Sequence, residues 1–431
     1  MSHKQGKFGR LLSVITNQEY IFSVVSKFLG VLIAIIYSIF YNRYLGASLK
    51  GEAAIIMNYI SIISSVLCLG MYQAYPFYRK KEQNVFHDFI NNMTSFYMLL
   101  LAASVIIAGF VKSFDINIRV ALVIVPIQAY IRHINYVVTI ENPRLRNISS
   151  IIINLVDLFV VSAMWIFTAA TYNYLVLILI VQTVINLIVS YSNLKTGLKC
   201  FKFTLALIPK YAKFGFIPMI TLFLMTLNYR VDILMLERTS FIAKNQIGIY
   251  SVGVSLAEKV WLIPDAVKDI LLSKLCKGKG GEEVAKVIRL NLAIAILAVV
   301  FVALISKPFV ALVYGSEYVG ADVITTIMLT GIIGMIFYKM VYSYNISQGK
   351  RLVNLIFLGV AATANVIGNI ILIPIMGIYG AALTSVVSYM LCGICFLIYF
   401  HHVSHVPYWQ MLFVQRSDFV MIKRFLAKKD K

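Results

Sequence analysis

Residues 214–236 read FGFIPMITLFLMTLNYRVDILML, and residues 247–272 read IGIYSVGVSLAEKVWLIPDAVKDILL, with a short polar turn between them. Each run is long enough to cross a bilayer, for which about 20 apolar residues at 1.5 Å per residue suffice. Each also carries ions. Arg230 and Asp232 lie in the first, and Glu258, Lys259, Asp265, Lys268 and Asp269 in the second. An ion placed in hydrocarbon costs several kcal/mol, so it normally faces a bundle interior or a water-filled cavity. Acids and bases within spanning helices point to a transporter rather than a passive anchor.

Composition extends this reading to the whole chain. The 431 residues are 60% hydrophobic and only 13% charged, with a mean hydropathy of +0.84. A soluble domain carries about 25% charged residues. Lipid leaves helices and closed barrels as the spanning structures. The apolar runs are continuous and lack the period of two that barrel strands show, so an all-α integral membrane protein is expected. The net charge of +21 argues little for nucleic acid, because the bases sit in short loops between apolar runs, as membrane topology requires. The five cysteines are scattered, mostly in or beside apolar runs, and imply no disulfide framework. The first apolar run, from about Tyr20, is too long for a cleavable signal peptide and lacks a small-residue cleavage site.

Twelve spans are expected, at about 18–42, 52–75, 89–111, 118–140, 148–171, 174–193, 213–236, 247–272, 284–305, 321–345, 352–375 and 378–400. Residues 1–193 form a first six-helix bundle and 213–405 a second. Residues 194–212 read as an amphipathic cytoplasmic linker lying on the membrane surface. The basic, aromatic tail 406–431 reads likewise and suits an anionic leaflet. With the N-terminus inside, the inner loops and tails hold 26 Lys and Arg, against 6 in the outer loops; the remaining 7 of the 39 lie deeper in spans or at an outer span end. That bias predicts both termini inside and an even number of spans. No outer loop exceeds about 16 residues, which leaves little room for an extracytoplasmic catalytic domain.

Several stretches resemble the Wzx-type O-antigen and polysaccharide flippases, within the superfamily of multidrug, oligosaccharidyl-lipid and polysaccharide exporters. Arg43-Tyr44-Leu45-Gly46 followed by Gly51 resembles that family's turn between helices one and two. Gly248-Ile249-Tyr250-Ser251, with Ile263-Pro264 later, resembles the opening of its eighth helix. Tyr314-Gly315 with Glu317-Tyr318 resembles its ninth-to-tenth connection. Asn365-x3-Asn369-x2-Leu372-Ile373-Pro374-x2-Gly377-x2-Gly380-Ala381-Ala382 resembles its eleventh-to-twelfth turn. The resemblance spans nearly the whole chain. It implies two six-helix bundles related by a pseudo-twofold axis around a central cavity open alternately to each side. It also implies the bacterial inner membrane, an undecaprenyl-pyrophosphate-linked glycan as substrate, and a glycan polymerase or chain-length regulator as partner. Apart from the family, Pro374 is expected to stop its helix, Gly377 and Gly380 to permit a tight turn, and Asn365 and Asn369 to hydrogen-bond a neighbouring helix.

A lipid pyrophosphate crosses hydrocarbon with two or more negative charges, and a cavity lined by Lys and Arg offsets its desolvation through charge-assisted hydrogen bonds. The candidates are Lys27, Arg132 and Lys339 in the cytoplasmic half, Lys259 near mid-membrane, and Arg230 toward the outer side. Each has an alternative, since Lys and Arg also snorkel or pair with acids. Arg230 and Asp232 are two apart and share no helix face. Asp157, Asp232 and Glu258 are candidates for proton or sodium coupling, because burial lets a carboxylate exchange protons near neutrality. Tyr37, Tyr59 and Tyr229 are candidates for stacking on sugars.

Other patterns carry less. Cys392-Gly-Ile-Cys395 has redox spacing but lies in a span, where small-residue packing explains it. His401, His402 and His405 include metal-like spacing with no carboxylate nearby. The sequons at Asn92, Asn147 and Asn345 lie in or at the inner side of spans. Neither a cofactor nor a metal is implied. A drug or cation antiporter of the same fold is the main alternative and would favour acidic cavities. A membrane glycan polymerase or ligase would need a large outer loop and a catalytic constellation, and neither is found. With no nucleotide-binding motif, the sequence points away from ATP hydrolysis.

Overall fold

In the computed structural model the apolar runs are helices, and no strand occurs among the described residues. The structure describes residues 3–79, 85–110, 113–194, 204, 206–276, 280–416 and 418; the side chains of 3–25, 27, 28, 266, 269, 270, 273 and 276 fall outside this description. The helices are α1 (His3–Leu67), α2 (Tyr75–Arg79), α3 (Val85–Phe110), α4 (Ile116–Glu141), α5 (Pro143–Phe167), α6 (Tyr172–Ser192), α7 (Leu207–Arg238) and α8 (Lys244–Val260). They continue with α9 (Leu262–Cys276), α10 (Gly281–Phe309), α11 (Ala321–Thr330), α12 (Ile332–Ser347), α13 (Arg351–Met376), α14 (Ile378–Ser404) and the short α15 (Tyr408–Leu412).

Nine described helices are long and apolar enough to span a membrane, or ten when α11 and α12, bent by 46° at their break, count as one span. Two of the twelve expected spans are not counted among these ten. The first and second both lie in α1, whose helical run is interrupted at Gly46 (φ 67°, ψ 173°). The eighth is the pair α8 and α9, each too short to span alone. That break has a local cause. Pro264 has no N–H, so it is tolerated only in the first turn of a helix, and α9 restarts at Leu262 so that Pro264 occupies that turn. Two expectations are corrected. The second expected span stops at Leu67 rather than at residue 75, where Leu69 and Gly70 take positive φ. Helix α13 runs through Pro374 to Met376 and stops at Gly377 (φ 57°) instead.

The chain divides into two compact units, Met1–Leu222 and Phe223–Lys431, with the division inside α7. In the first, α1 packs on α4 and α5, α3 on α4, and α6 on α4 and α5. Two apolar clusters result. One gathers Phe89, Met93, Tyr97, Ile134 and Tyr211, and the other Ile56, Ile60, Ile124, Val125 and Ile178. In the second unit α14 packs on α12 and α13, α11 on α8, α9 on α12, and α15 on α10. Large apolar side chains remain outside both, such as Phe110 at 84% exposure, Phe167 at 81% and Leu304 at 74%. So much exposed apolar surface is foreign to a soluble monomer and is the lipid-facing surface of a membrane protein. The chain is a multi-pass α-helical membrane protein.

Of the expected surface segments, 195–203, 205, 417 and 419–431 lie outside the described residues. The described part of the tail is docked. Asp418 takes a two-point ion pair from Arg289 on α10, at 2.5 and 2.8 Å, and Arg289 also donates to the Gln410 carbonyl at 3.0 Å.

Candidate functional site

The first unit holds a cavity of about 620 Å³. Its polar wall comes from a helix corner. Asp115 caps the start of α4 by accepting from the Asn117 N–H. Asn142 caps α5 by accepting from the Leu145 N–H at 3.1 Å, with Pro143 in the first turn. An N-cap side chain satisfies one of the donors a helix start leaves open. The corner turns the chain sharply enough that Arg132 and Asn135 of α4 and Arg146 of α5 line one space. Gln73, Gln128 and Asn186 complete the polar lining, with Tyr72 and Tyr136 beside them.

The electrostatics of this cavity are one-sided. Two arginines line it and, among the described residues, no Asp or Glu does. The acid nearest in sequence, Glu141 at the end of α4, is engaged by Arg79 (2.9 Å) and by the Tyr75 hydroxyl. Arg132 Nη1 and Asn135 Oδ1 are buried with no hydrogen-bond partner among the described residues. A buried polar atom left unmatched costs about 1–3 kcal/mol, more when charged. Such a group calls for a partner, which a water, an ion or a ligand can supply. The cavity thus presents a cationic wall in which one arginine donor and one amide acceptor are left without partners among the described residues.

Asp157 lies eleven residues beyond Arg146 on α5. At 100° per residue this returns to nearly the same helix face, about 16 Å farther along. Its Oδ1 is buried with no hydrogen-bond partner among the described residues. Nearby, the Gln182 amide donates to the Tyr37 hydroxyl at 2.8 Å, and Tyr37 stacks on Tyr41 at 5.4 Å between ring centres.

The second unit holds a polar cluster around Asp232, which is 2% exposed. The Tyr250 hydroxyl and Ser385 donate to its carboxylate, as does the Ile233 N–H at 2.8 Å. One turn earlier, Asn228 accepts from Ser388 at 2.7 Å and, through its carbonyl, from Asn365. Asn369 donates to Asn365 at 2.7 Å. Asn365 therefore bonds neighbouring helices, as expected of intramembrane amides. Asn369 Oδ1 and Thr384 Oγ1 stay buried without partners among the described residues.

The remaining candidates fall into pairs. Arg230 meets Glu258 across α7 and α8 at 3.3 Å. Lys339, 7% exposed, donates to Asp265 at 2.8 Å, and Lys268 lies 3.4 Å from the same carboxylate. Lys259 is half-buried on α8 and belongs to neither pair. Lys27 lies on α1, with its side chain outside the described residues. Tyr229 is packed with Trp261 and Tyr389, at 5.9 and 5.6 Å. His401 donates from Nδ1 to the Val406 carbonyl and stacks on Tyr408, so it serves the turn into α15. Arg146 is not among the bases the sequence singles out, because its position in the chain groups it with an inner loop. The signal was Asn142-Pro143, which starts a helix and so places Arg146 inside it.

No family model matches this sequence, and comparison with curated protein sequences gives no match. Solved structures do match. The lipid II flippase MurJ in an inward closed conformation aligns with a TM-score of 0.73 and 16% identity, covering 91% of this chain and 89% of that one. A MATE family multidrug resistance transporter of the MOP superfamily, inward-facing, aligns at 0.67 and 13%, covering 89% and 98%. A MOP superfamily transporter from Pyrococcus furiosus, described as having a binding pocket of reverse polarity, aligns at 0.61 and 13%, covering 89% and 95%. The chain thus has the fold of MOP superfamily transporters.

Proposed function

We propose that this protein is a flippase that moves undecaprenyl-pyrophosphate-linked O-antigen, or a similar polysaccharide repeat unit, from the inner to the outer leaflet of a bacterial cytoplasmic membrane by alternating access. The observation that carries this reading is the cavity of the first unit, where, among the described residues, Arg132 and Arg146 line a space without an acid and Arg132 Nη1 has no partner. Arginine suits a pyrophosphate because its planar fork meets two phosphate oxygens at once. Gln73, Gln128, Asn135 and Asn186 offer amides to the neighbouring sugar, and Tyr72 and Tyr136 offer ring faces.

In this reading the other intramembrane bases have supporting roles. Arg230 and Lys339 carry matched acids in this state, so they are released to substrate only if Glu258 and Asp265 are neutralised or move. Lys27 and Lys259 add positive charge along the path. Asp157, whose Oδ1 is buried and unmatched among the described residues, is the candidate for proton or sodium coupling in the first unit; Asp232 and Glu258 are those of the second. The likeness to a lipid II flippase supports a lipid-linked substrate. A glycan polymerase or chain-length regulator would act on the delivered units.

The test is surface glycan display in a deletion strain complemented with wild type, Arg132→Ala, Arg146→Ala or Lys259→Ala, with membrane levels checked. The expected result is loss of surface glycan on deletion, accumulation of lipid-linked units inside, and failure of both arginine variants to restore display. Glycan that persists while drug resistance falls would instead establish a multidrug antiporter.

A further inference from the structure

A second cavity of the first unit, about 470 Å³, lies between α3, α4 and α6. Met98, Leu101, Pro126, Ile127, Leu187 and Ile188 line it. The hydroxyls at its edge are already engaged. Thr94 donates to the Ile90 carbonyl at 2.8 Å, and Tyr130 lies 2.6 Å from Thr94 Oγ1. Met98 and Ile188 are 50% and 61% exposed, so the groove opens on the lipid-facing side. Its chemistry fits hydrocarbon and little else.

Its position relative to the arginine cavity gives it meaning. On α4 the arginine cavity takes Gln128, Arg132 and Asn135, while the groove takes Pro126, Ile127 and Tyr130. At 100° per residue these sets point to opposite sides of the helix. On α6, Asn186 faces the cavity, and Leu187, Ile188 and Tyr191 face the groove, again nearly opposite. Helices α4 and α6 are thus a two-helix wall, cationic on one side and apolar on the other, over the same few turns.

The seam in that wall is fastened unevenly. At one end the Tyr172 hydroxyl donates to Asn117 Oδ1 at 2.8 Å. In the middle, Gln128 donates to Thr183 at 3.4 Å, beyond the usual range of a good bond. Pro126, just before Gln128 within α4, removes a helix hydrogen bond and gives the helix a place to bend.

We propose that the α4–α6 seam is a lateral gate, with the polyprenyl chain of the transported lipid seated in the apolar groove while its phosphates occupy the arginine cavity. This rests on the flippase reading above. A phosphate head in a polar cavity and a chain that must stay in hydrocarbon require a slot between the two environments, and this seam separates them by one helix thickness.

The test uses the full chain in phospholipid nanodiscs with a polyprenyl pyrophosphate bearing a diazirine on its chain. Photolysis is expected to label peptides of α3, α4 and α6 around Met98, Ile127 and Leu187. Unlabelled polyprenyl pyrophosphate should suppress that labelling at least tenfold, and excess phospholipid should not. Competed labelling elsewhere overturns the gate and leaves the flippase reading standing. Labelling of the groove that phospholipid suppresses equally makes it a bulk-lipid site and also overturns the gate. No saturable labelling anywhere removes both. As a second arm, Met98→Trp fills the groove from its exposed edge. It is expected to lower glycan display at least fivefold at normal protein level, with inorganic pyrophosphate binding unchanged; unchanged display would count against the gate.

Discussion

Arg132 and Arg146 reach one cavity from opposite sides of the helix corner at Asn142, and the acid at that corner, Glu141, is held away by Arg79 and Tyr75. A charge-assisted hydrogen bond contributes about 1.5–3 kcal/mol, so losing Arg132 should weaken an anion by about 10- to 100-fold. The expectation for Arg132→Ala is weakening of that size, measured as pyrophosphate binding to the purified protein by calorimetry. Arg132→Lys should fall between, because it keeps the charge and loses the fork. Wild-type affinity in Arg132→Ala would remove this residue from the site. The two arginines also mark how far a sequence can be read at this scale. Arg132 is visible because it lies deep in an apolar run. Arg146 is hidden because a base close to a loop looks the same whether it faces water or a cavity. The Arg230–Glu258 and Lys339–Asp265 pairs were equally hidden, since no local spacing tells a matched base from an unmatched one.

Helices were the most legible level, because a continuous apolar run of span length has few other solutions in lipid. What failed to show were the breaks within runs, at Trp261 and Gly331, where apolar residues continue on both sides. The packing they serve depends on close approach. A Cβ on Gly334 would lie 2.3 Å from the Tyr389 carbonyl oxygen, and one on Gly393 would lie 2.4 Å from Gly334 Cα. Helices α12 and α14 therefore meet backbone to backbone, as small residues allow in membranes. Gly393→Leu should separate them at a cost of about 1–3 kcal/mol or more. It should appear as a lower melting temperature in fluorescence-detected size-exclusion chromatography. Gly109→Leu is the control, since nothing lies within 4 Å of a Cβ there; equal losses in both would refute the close-packing argument.

The docked tail gives a second expectation at this scale. The Arg289 guanidinium, by hydrogen-bonding Asp418, holds its carboxyl below the usual carboxylate range. A depressed carboxylate stabilises the docked form at every pH above its unfolded value, and that contribution is lost as pH falls through the folded value. Docking should thus be constant from neutrality down to about pH 5, and fail only below the ordinary Asp value of about 3.9. Limited proteolysis of the tail across this range measures it. Asp418→Asn should expose the tail at all pH values, and release of the wild-type tail at pH 6 would contradict the assignment. The pair joins residues 129 apart, which is why the sequence shows a basic surface tail and not its anchor.

At the scale of the molecule, the number of crossings depends on whether broken helices count as spans. Among the described residues, length and composition alone give nine, or ten with α11 and α12 joined. Reading α1 as two spans at Gly46, and α8 with α9 as one, restores twelve and the even parity that the bias of loop charges requires. The pair α8 and α9 is the decisive case. If it crosses, residues before α8 and after α9 lie on opposite sides of the membrane; if it turns back as a re-entrant loop, they share a side and the parity becomes odd. Single cysteines in place of Phe241 and Gly280, in a background without the five native cysteines, separate these cases with a membrane-impermeant maleimide on intact cells. We expect Phe241→Cys to be labelled from outside and Gly280→Cys only after permeabilisation. Labelling of both from outside would turn the pair into a re-entrant loop and place the C-terminal tail outside. The tail's bases would then face the leaflet that positive-inside sorting disfavours, so one experiment tests the span count, the charge rule and the orientation of the tail together.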